Sequence, residues 1–168
     1  FIGRVMKAKG IDYYLDAAKH IKLKYPNTVF HILGAYEEDY KSIIDQYQSE
    51  GIIKYHGSVD SVEKYLLFAH CTVHPTYYPE GMSNVLLESA ASGRPIIASN
   101  RSGCKEIIEE GKNGFLVEPK NLENLISKIE LFINIPHVEK KQMGIYGREK
   151  VVREFNRNIV INAYMNEI

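Results

Sequence analysis

The sequence carries no excess of charge and no long apolar run. Its 21 Lys and Arg residues balance 21 Asp and Glu residues over 168 positions. A balanced chain has no overall field to attract nucleic acid or an anionic membrane, so any phosphate binding must be local. A membrane-spanning helix needs about 20 consecutive apolar residues, and the sequence has no such run. We therefore expect no nucleic-acid partner and no transmembrane segment in this chain.

Cysteine is scarce, and internal repeats, low-complexity tracts and the metal-binding motif Asp-x-Asp are missing. Cys71 falls in an apolar segment and Cys104 at a loop or helix start. Neither belongs to a CxxC pair or to a zinc-ligand cluster. Two unclustered cysteines indicate a reducing compartment, so we expect a cytoplasmic protein.

Short apolar segments alternate with segments of helical periodicity along the chain. Strands are predicted at residues 1–3, 28–33, 52–56, 71–74, 95–99 and 114–117. A short helix is predicted at 104–109, and Asn156 would cap a final one. The alternation predicts an α/β fold, with a Rossmann-like parallel sheet of about six strands and helices on both faces. The length suits one domain over residues 1–168.

The stretch over residues 75–99 reads PTYYPEGMSNVLLESAASGRPIIAS and contains a helix between two strands. Residues 83–92 are small or apolar almost all round, which predicts a helix packed against a sheet. Gly93 and Pro95 end it, because glycine accepts the left-handed cap and proline cannot continue a helix. Glu88 lies in its second turn, where an unpaired buried carboxylate would be costly. The sequence therefore predicts a polar partner for Glu88.

The entrance of this helix suits a phosphate. The first turn offers unpaired backbone N–H groups and the positive end of the helix dipole. Side chains lean toward the N-terminus of a helix, so Glu88 leans toward this entrance. The entrance is formed by Gly81, Met82, Ser83 and Asn84. A ligand with a diphosphate at the helix start and a sugar diol beside the second turn would satisfy both features. A nucleotide has this shape.

Two cations flank a second turn, between the first strand and the first helix. In a doubly wound sheet, ligands lie at the carboxyl ends of the strands, where this turn lies. Arg4 can bind a diphosphate by forked hydrogen bonds and Lys9 can act as a point charge. The alternative for Arg4 and Lys9 is that both are solvated loop cations. The alternative for the glutamates is that Glu88 pairs with an Arg or Lys and that Glu80 is a solvated turn residue.

Together these segments resemble the donor-binding half of the retaining glycosyltransferases of family 4, which have the GT-B fold. The family's hallmark is a pair of glutamates eight positions apart, matched by Glu80 and Glu88. A Pro-Ser or Pro-Thr strand end precedes the pair, here Pro75 and Thr76. A second family element is Gly-Arg followed five residues later by Lys. It is matched by Gly3, Arg4 and Lys9.

The resemblance implies a role for each matched residue. Glu80 would face the transferred sugar, Glu88 would hold the ribose hydroxyls, and backbone groups around Val59 would contact the nucleobase. The catalytic set would be Glu80, Arg4 and Lys9. The other donor-binding residues would be Gly3, Gly81, Met82, Ser83 and Asn84. The family needs no divalent metal, so we expect no metal and no cofactor, with a UDP- or GDP-sugar as substrate.

The resemblance also implies that a second domain is needed for transfer. Residues 1–3 indicate the end of a strand whose beginning is missing, so we expect a piece of a longer enzyme. In that enzyme an N-terminal domain would hold a glycan or lipid-linked acceptor, so this chain alone would bind a donor but transfer sugar poorly. The expected pathway is polysaccharide or cell-surface glycan synthesis. A peripheral position of the full enzyme at the inner membrane face stays open.

Two other functions of the chain stay open, and so does the position of two tyrosine side chains. The chain could be a non-catalytic nucleotide-sugar-binding domain, although both glutamates and both cations are retained. It could be part of a dinucleotide-dependent oxidoreductase, but its first turn, GRVMKAKG, lacks the Gly-x-Gly-x-x-Gly spacing. Tyr77 and Tyr78 precede Glu80, and they either line a sugar pocket or pack the loop.

Overall fold

The computed structural model describes residues 1–79, 81–156 and 165, and helices and strands alternate along them. The strands are β1 (Phe30–Ile32), β2 (Ile53–Tyr55), β3 (Thr72–His74), β4 (Ile96–Ser99) and β5 (Gly114–Val117). The helices are α1 (Ile11–Lys24), α2 (Lys41–Ser49), α3 (Glu63–Leu66), α4 (Asn84–Ala91), α5 (Leu122–Asn134) and α6 (His137–Glu154). The α/β class predicted from the alternation is confirmed.

The described strands form two parallel sheets, so the expected single sheet of about six strands is wrong. β1 pairs with β2, and the second sheet has the order β3-β4-β5. The segment predicted as the first strand makes only isolated bridges, such as the one between Ile2 and Leu33. Gly3 has φ +141° and Gly34 has φ +142°, so both leave the extended conformation where the two segments meet. The ladder is interrupted there for that reason.

Helices cover both faces of the three-stranded sheet, as predicted. Ile97 of β4 packs into a core that includes apolar side chains of α1 and α5. Its neighbours Ile96 and Ala98 point the other way and pack with Leu86 of α4 and Val151 of α6. Successive strand residues face opposite sides of a sheet, so a continuous apolar strand fills two cores.

The end of α4 is held against α6 by a close contact between two glycines. Gly93 has φ +68°, the left-handed conformation expected for a residue that ends a helix. A Cβ atom placed on Gly144 of α6 would lie 2.1 Å from the carbonyl oxygen of Gly93. The two backbones can approach this closely only because Gly144 has no side chain. This contact fixes the position of α4, and therefore of its N-terminus.

Residues 104–109 form turns and not the predicted helix. The Glu106 carboxylate accepts a hydrogen bond from the Gly103 N–H at 2.8 Å. The Asn113 side chain accepts from the Glu109 N–H at 2.7 Å and donates to the Ile107 carbonyl at 2.9 Å. Side chains thus take up backbone groups that a helix would pair internally.

Two further observations concern the described part of the chain. None of its helices is both long enough and apolar enough to cross a membrane. Within residues 1–79, 81–156 and 165, no three His, Cys, Asp or Glu side chains are grouped so as to hold a metal ion. The helix predicted after Asn156 lies outside the described residues.

Candidate functional site

A cavity of about 480 Å³ lies where the first turn of the chain meets the start of α4. It brings together residues far apart in sequence, since its wall contains Ile2 as well as Val85. Its wall also contains seven of the predicted site residues, which are Gly3, Arg4, Lys9, Gly81, Met82, Ser83 and Asn84. The two sequence motifs therefore meet at one place.

A larger cavity, of about 880 Å³, lies between β1 and β3. Apolar side chains such as Phe30, Ile129 and Phe132 form much of its wall. Arg4, Lys9 and the N-terminus of α4 do not contribute to it. Because a diphosphate needs cations and N–H donors, the smaller cavity is the candidate site.

The first turn is docked on the loop that precedes α4. Gly10 has φ +79°, and a Cβ atom on it would lie 2.2 Å from the carbonyl oxygen of Pro75. The Tyr77 N–H donates a hydrogen bond to the Ala8 carbonyl at 2.9 Å. The Arg101 guanidinium donates to the Tyr77 carbonyl from the other side of the loop. These contacts fix the distance between Lys9 and the loop.

Arg4 and Lys9 both lie in the wall of the cavity. Arg4 forms an ion pair of 3.1 Å with Glu37, and both side chains are half exposed, so the pair adds little stability. Burial lowers the pKa of Lys9, and the neighbouring positive charge of Arg4 lowers it further. An anionic ligand would offset both effects, because a negative charge beside Lys9 favours its protonated form.

The N-terminus of α4 opens on the same cavity. Ser83 caps the helix in an extended conformation, and its side chain makes no capping hydrogen bond. Its N–H donates to the Gly103 carbonyl at 3.0 Å, so this predicted free donor is already used. The N–H groups of Asn84 and Val85 have no acceptor among the described residues. Two donors at the positive end of the helix therefore stay available to a ligand.

Glu88 is exposed, so the expectation that it is a buried carboxylate in need of a partner is wrong. α4 buries Leu86, Ser89 and Ala90, and Glu88 lies on the opposite side. Its carboxylate makes no hydrogen bond or ion pair within residues 1–79, 81–156 and 165, so the alternative of a pairing with Arg or Lys is not seen among them. Both oxygens are open to a ligand.

Among the described residues, two predicted ones, Glu88 and Val59, do not contribute to the wall of the cavity. Glu80 is outside the described residues. Val59 follows β2 and is half-buried, in a turn held beside Gly34 by a 2.7 Å hydrogen bond from the Gly34 N–H to the Gly57 carbonyl. Gly34 in turn contacts Gly3 of the cavity wall. The turn around Val59 is therefore a neighbour of the cavity.

The structure separates the two tyrosines that the sequence left undecided. The Tyr78 ring lines the cavity, with Arg4 Cζ 5.5 Å and Lys9 Nζ 4.9 Å from its centroid. The Tyr77 ring packs instead against Tyr13 and lies under Lys120. Tyr77 thus packs the loop and Tyr78 belongs to the site.

His74 is a site residue that sequence reasoning missed. It ends β3, lines the cavity, and is buried. Burial lowers its pKa to about 3, with a further contribution from Lys9, so the imidazole is neutral at physiological pH. Its position as the last residue of a parallel strand was the available signal, because ligands bind at that end of the sheet.

The sequence matches the model of the family described as glycosyl transferases group 1, over residues 1–150. The chain belongs to this family. Two curated relatives are similar to it. One is an uncharacterized glycosyltransferase of Haemophilus influenzae, 30% identical over 164 residues, or 92% of this chain and 46% of the relative. The other is the capsular polysaccharide biosynthesis glycosyltransferase CapM of Staphylococcus aureus. It is 27% identical over 164 residues, which are 95% of this chain and 42% of CapM.

A solved structure has a fold similar to that of this chain. It is a TarM variant from S. aureus in complex with fondaparinux, alpha-GlcNAc-glycerol and UDP. It is 25% identical with a TM-score of 0.88, and the match covers 98% of this chain but 34% of TarM. This chain thus spans less than half of the length of each of these three proteins.

Proposed function

We propose that this chain binds a nucleoside-diphosphate sugar and forms the donor half of a retaining glycosyltransferase. The observation that carries the proposal is the convergence of Arg4, Lys9 and the N-terminus of α4 on one cavity. A diphosphate is the common ligand group that matches two cations and two free N–H donors at once. The UDP in the TarM complex makes UDP the first nucleotide to test.

In the proposed reaction the bond between the sugar and the diphosphate breaks, and negative charge grows on the leaving group. Arg4, Lys9 and the start of α4 stabilise that charge in place, without rearrangement at the moment of reaction. Glu88 holds the ribose hydroxyls, and the turn around Val59 contacts the base. Glu80 faces the transferred sugar. No step requires a metal or a cofactor.

The acceptor and the second domain also belong to the proposal. Residues 1–168 form the donor-binding domain. A separate N-terminal domain holds a glycan or lipid-linked acceptor across the cleft between the two domains. The chain alone transfers sugar poorly for that reason. CapM is named for capsular polysaccharide biosynthesis, which supports a role in polysaccharide or cell-surface glycan synthesis.

Replacing Arg4 with glutamine tests the diphosphate site. A hydrogen bond to a charged group contributes about 1.5–3 kcal/mol, and Arg4 is half exposed, so we expect the lower end of this range and a loss of UDP affinity of about tenfold. Isothermal titration calorimetry of the chain with UDP measures it. Arg148→Gln, at an exposed position of α6, is the matched control and should bind UDP like the wild type. Equal affinity of Arg4→Gln and the wild type would contradict the proposed function of Arg4.

A further inference from the structure

Tyr78 is the one Phe, Tyr or Trp side chain among the described residues of the cavity wall, and it contacts both cations of the proposed diphosphate site. Lys9 Nζ lies 4.9 Å and Arg4 Cζ 5.5 Å from the centre of its ring. Both distances are within the range in which the negative face of an aromatic ring attracts a cation. One ring therefore interacts with two like charges that repel each other.

The backbone that carries this ring is held in place. The Tyr78 N–H donates to the Thr76 hydroxyl at 3.2 Å, and the preceding residue is held by Ala8 and Arg101. Because the same loop is docked on Gly10, the Tyr78 backbone stands at a fixed distance from the first turn. The flexible partners are the side chains of Arg4 and Lys9, which adapt to the ring.

Arg4 is restrained from two directions. Its guanidinium contacts the Glu37 carboxylate at 3.1 Å, and Glu37 does not contribute to the cavity wall. The Tyr78 ring contacts it within the cavity wall. One N–H group is used by Glu37, and the other N–H groups of the guanidinium fork remain for phosphate oxygens.

We propose that Tyr78 is a positioning residue of the donor site, which holds Arg4 and Lys9 ready for the diphosphate. This inference rests on the proposed function. Long cationic side chains lose rotamer freedom when they bind a ligand, and a ring that restricts them beforehand removes part of that cost. Tyr78 thus increases affinity for the diphosphate and not for the nucleoside.

The test compares Tyr78→Leu, which has no aromatic face, with Tyr78→Phe, which keeps it. Ordering two long side chains costs enough that we expect Tyr78→Leu to weaken UDP binding about five- to tenfold in isothermal titration calorimetry. Tyr78→Phe should restore wild-type affinity, because the ring face and not the hydroxyl acts on the cations. Uridine affinity, measured in the same way, should be equal in all three proteins.

Tyr77→Leu is the matched control, because its ring lies in the same loop but packs on Tyr13 and Lys120. It should lower the melting temperature at least as much as Tyr78→Leu while retaining UDP affinity. Equal or tighter UDP binding by Tyr78→Leu would overturn the inference, since the ring would then be neutral or would occlude the cations. An equal loss in Tyr78→Phe would also overturn it. A wild-type chain that does not bind UDP would instead contradict the proposed function itself.

Discussion

Glu88→Ala weakens UDP binding by about a hundredfold if Glu88 holds the ribose hydroxyls. A carboxylate that accepts two hydroxyl hydrogen bonds contributes roughly 3 kcal/mol to binding, which corresponds to this factor. The fold should be unaffected, because Glu88 is exposed, has no partner among the described residues, and lies within α4, where alanine is a favourable helix residue. Calorimetry with UDP gives the affinity, and thermal unfolding gives the stability.

A nucleotide without the 2′-hydroxyl makes this test specific for the ribose. The wild-type chain should bind 2′-deoxy-UDP more weakly than UDP, whereas Glu88→Ala should discriminate little between the two. Glu139→Ala, at an exposed position in the first turn of α6, removes the same charge far along the chain and should behave as the wild type. If Glu88→Ala keeps wild-type affinity, the ribose assignment is wrong.

Gly10→Ala is expected to destabilise the chain more than any surface substitution. An L-residue at φ +79° costs roughly 1–2 kcal/mol, and the added Cβ would lie 2.2 Å from the Pro75 carbonyl oxygen. The clash involves backbone, so the first turn and the loop must separate. We expect a total loss of about 2–4 kcal/mol and a decrease in melting temperature of roughly 5–15 °C, measured by differential scanning calorimetry.

Gly51→Ala separates the cost of backbone strain from the cost of the clash with Pro75. Gly51 has φ +70°, and a Cβ on it would meet no atom within 4 Å, so this variant carries the backbone strain without the clash. It should lose less stability than Gly10→Ala and should bind UDP as the wild type does. Gly10→Ala should bind UDP more weakly, because Lys9 and Tyr78 no longer keep their spacing. Equal losses of stability in the two variants would show that the contact with Pro75 does not matter.

The parts of the fold that follow from local pattern could be predicted from the sequence. The helix α4 was expected at 83–92 and spans Asn84–Ala91, because small apolar residues, Gly93 and Pro95 all indicate the same element. The alternation of strands and helices correctly predicted helices on both faces of the sheet that contains β4. Residues 104–109 could not be predicted, since their backbone groups pair with the side chains of Glu106 and Asn113.

The meeting of the two motifs at one cavity was predicted better than the environment of the individual residues. Arg4, Lys9 and the entrance of α4 meet as expected, because both motifs lie at carboxyl ends of parallel segments. The burial of Glu88 was predicted wrongly, since a helix with apolar residues on most sides still has one side turned away from its sheet and from α6. The different roles of Tyr77 and Tyr78 depend on contacts with Tyr13, Arg4 and Lys9, which are distant in sequence.

The central claim is that this chain binds a nucleoside diphosphate, and thermal unfolding with UDP, GDP, ADP and NAD tests it most directly. A ligand at 100 times its dissociation constant stabilises the folded chain by about 2.7 kcal/mol, which corresponds to an increase in melting temperature of roughly 5–10 °C. We predict that UDP produces this increase and that NAD does not. Stabilisation by NAD without a response to any nucleoside diphosphate, or no response to any of the four, would contradict the account.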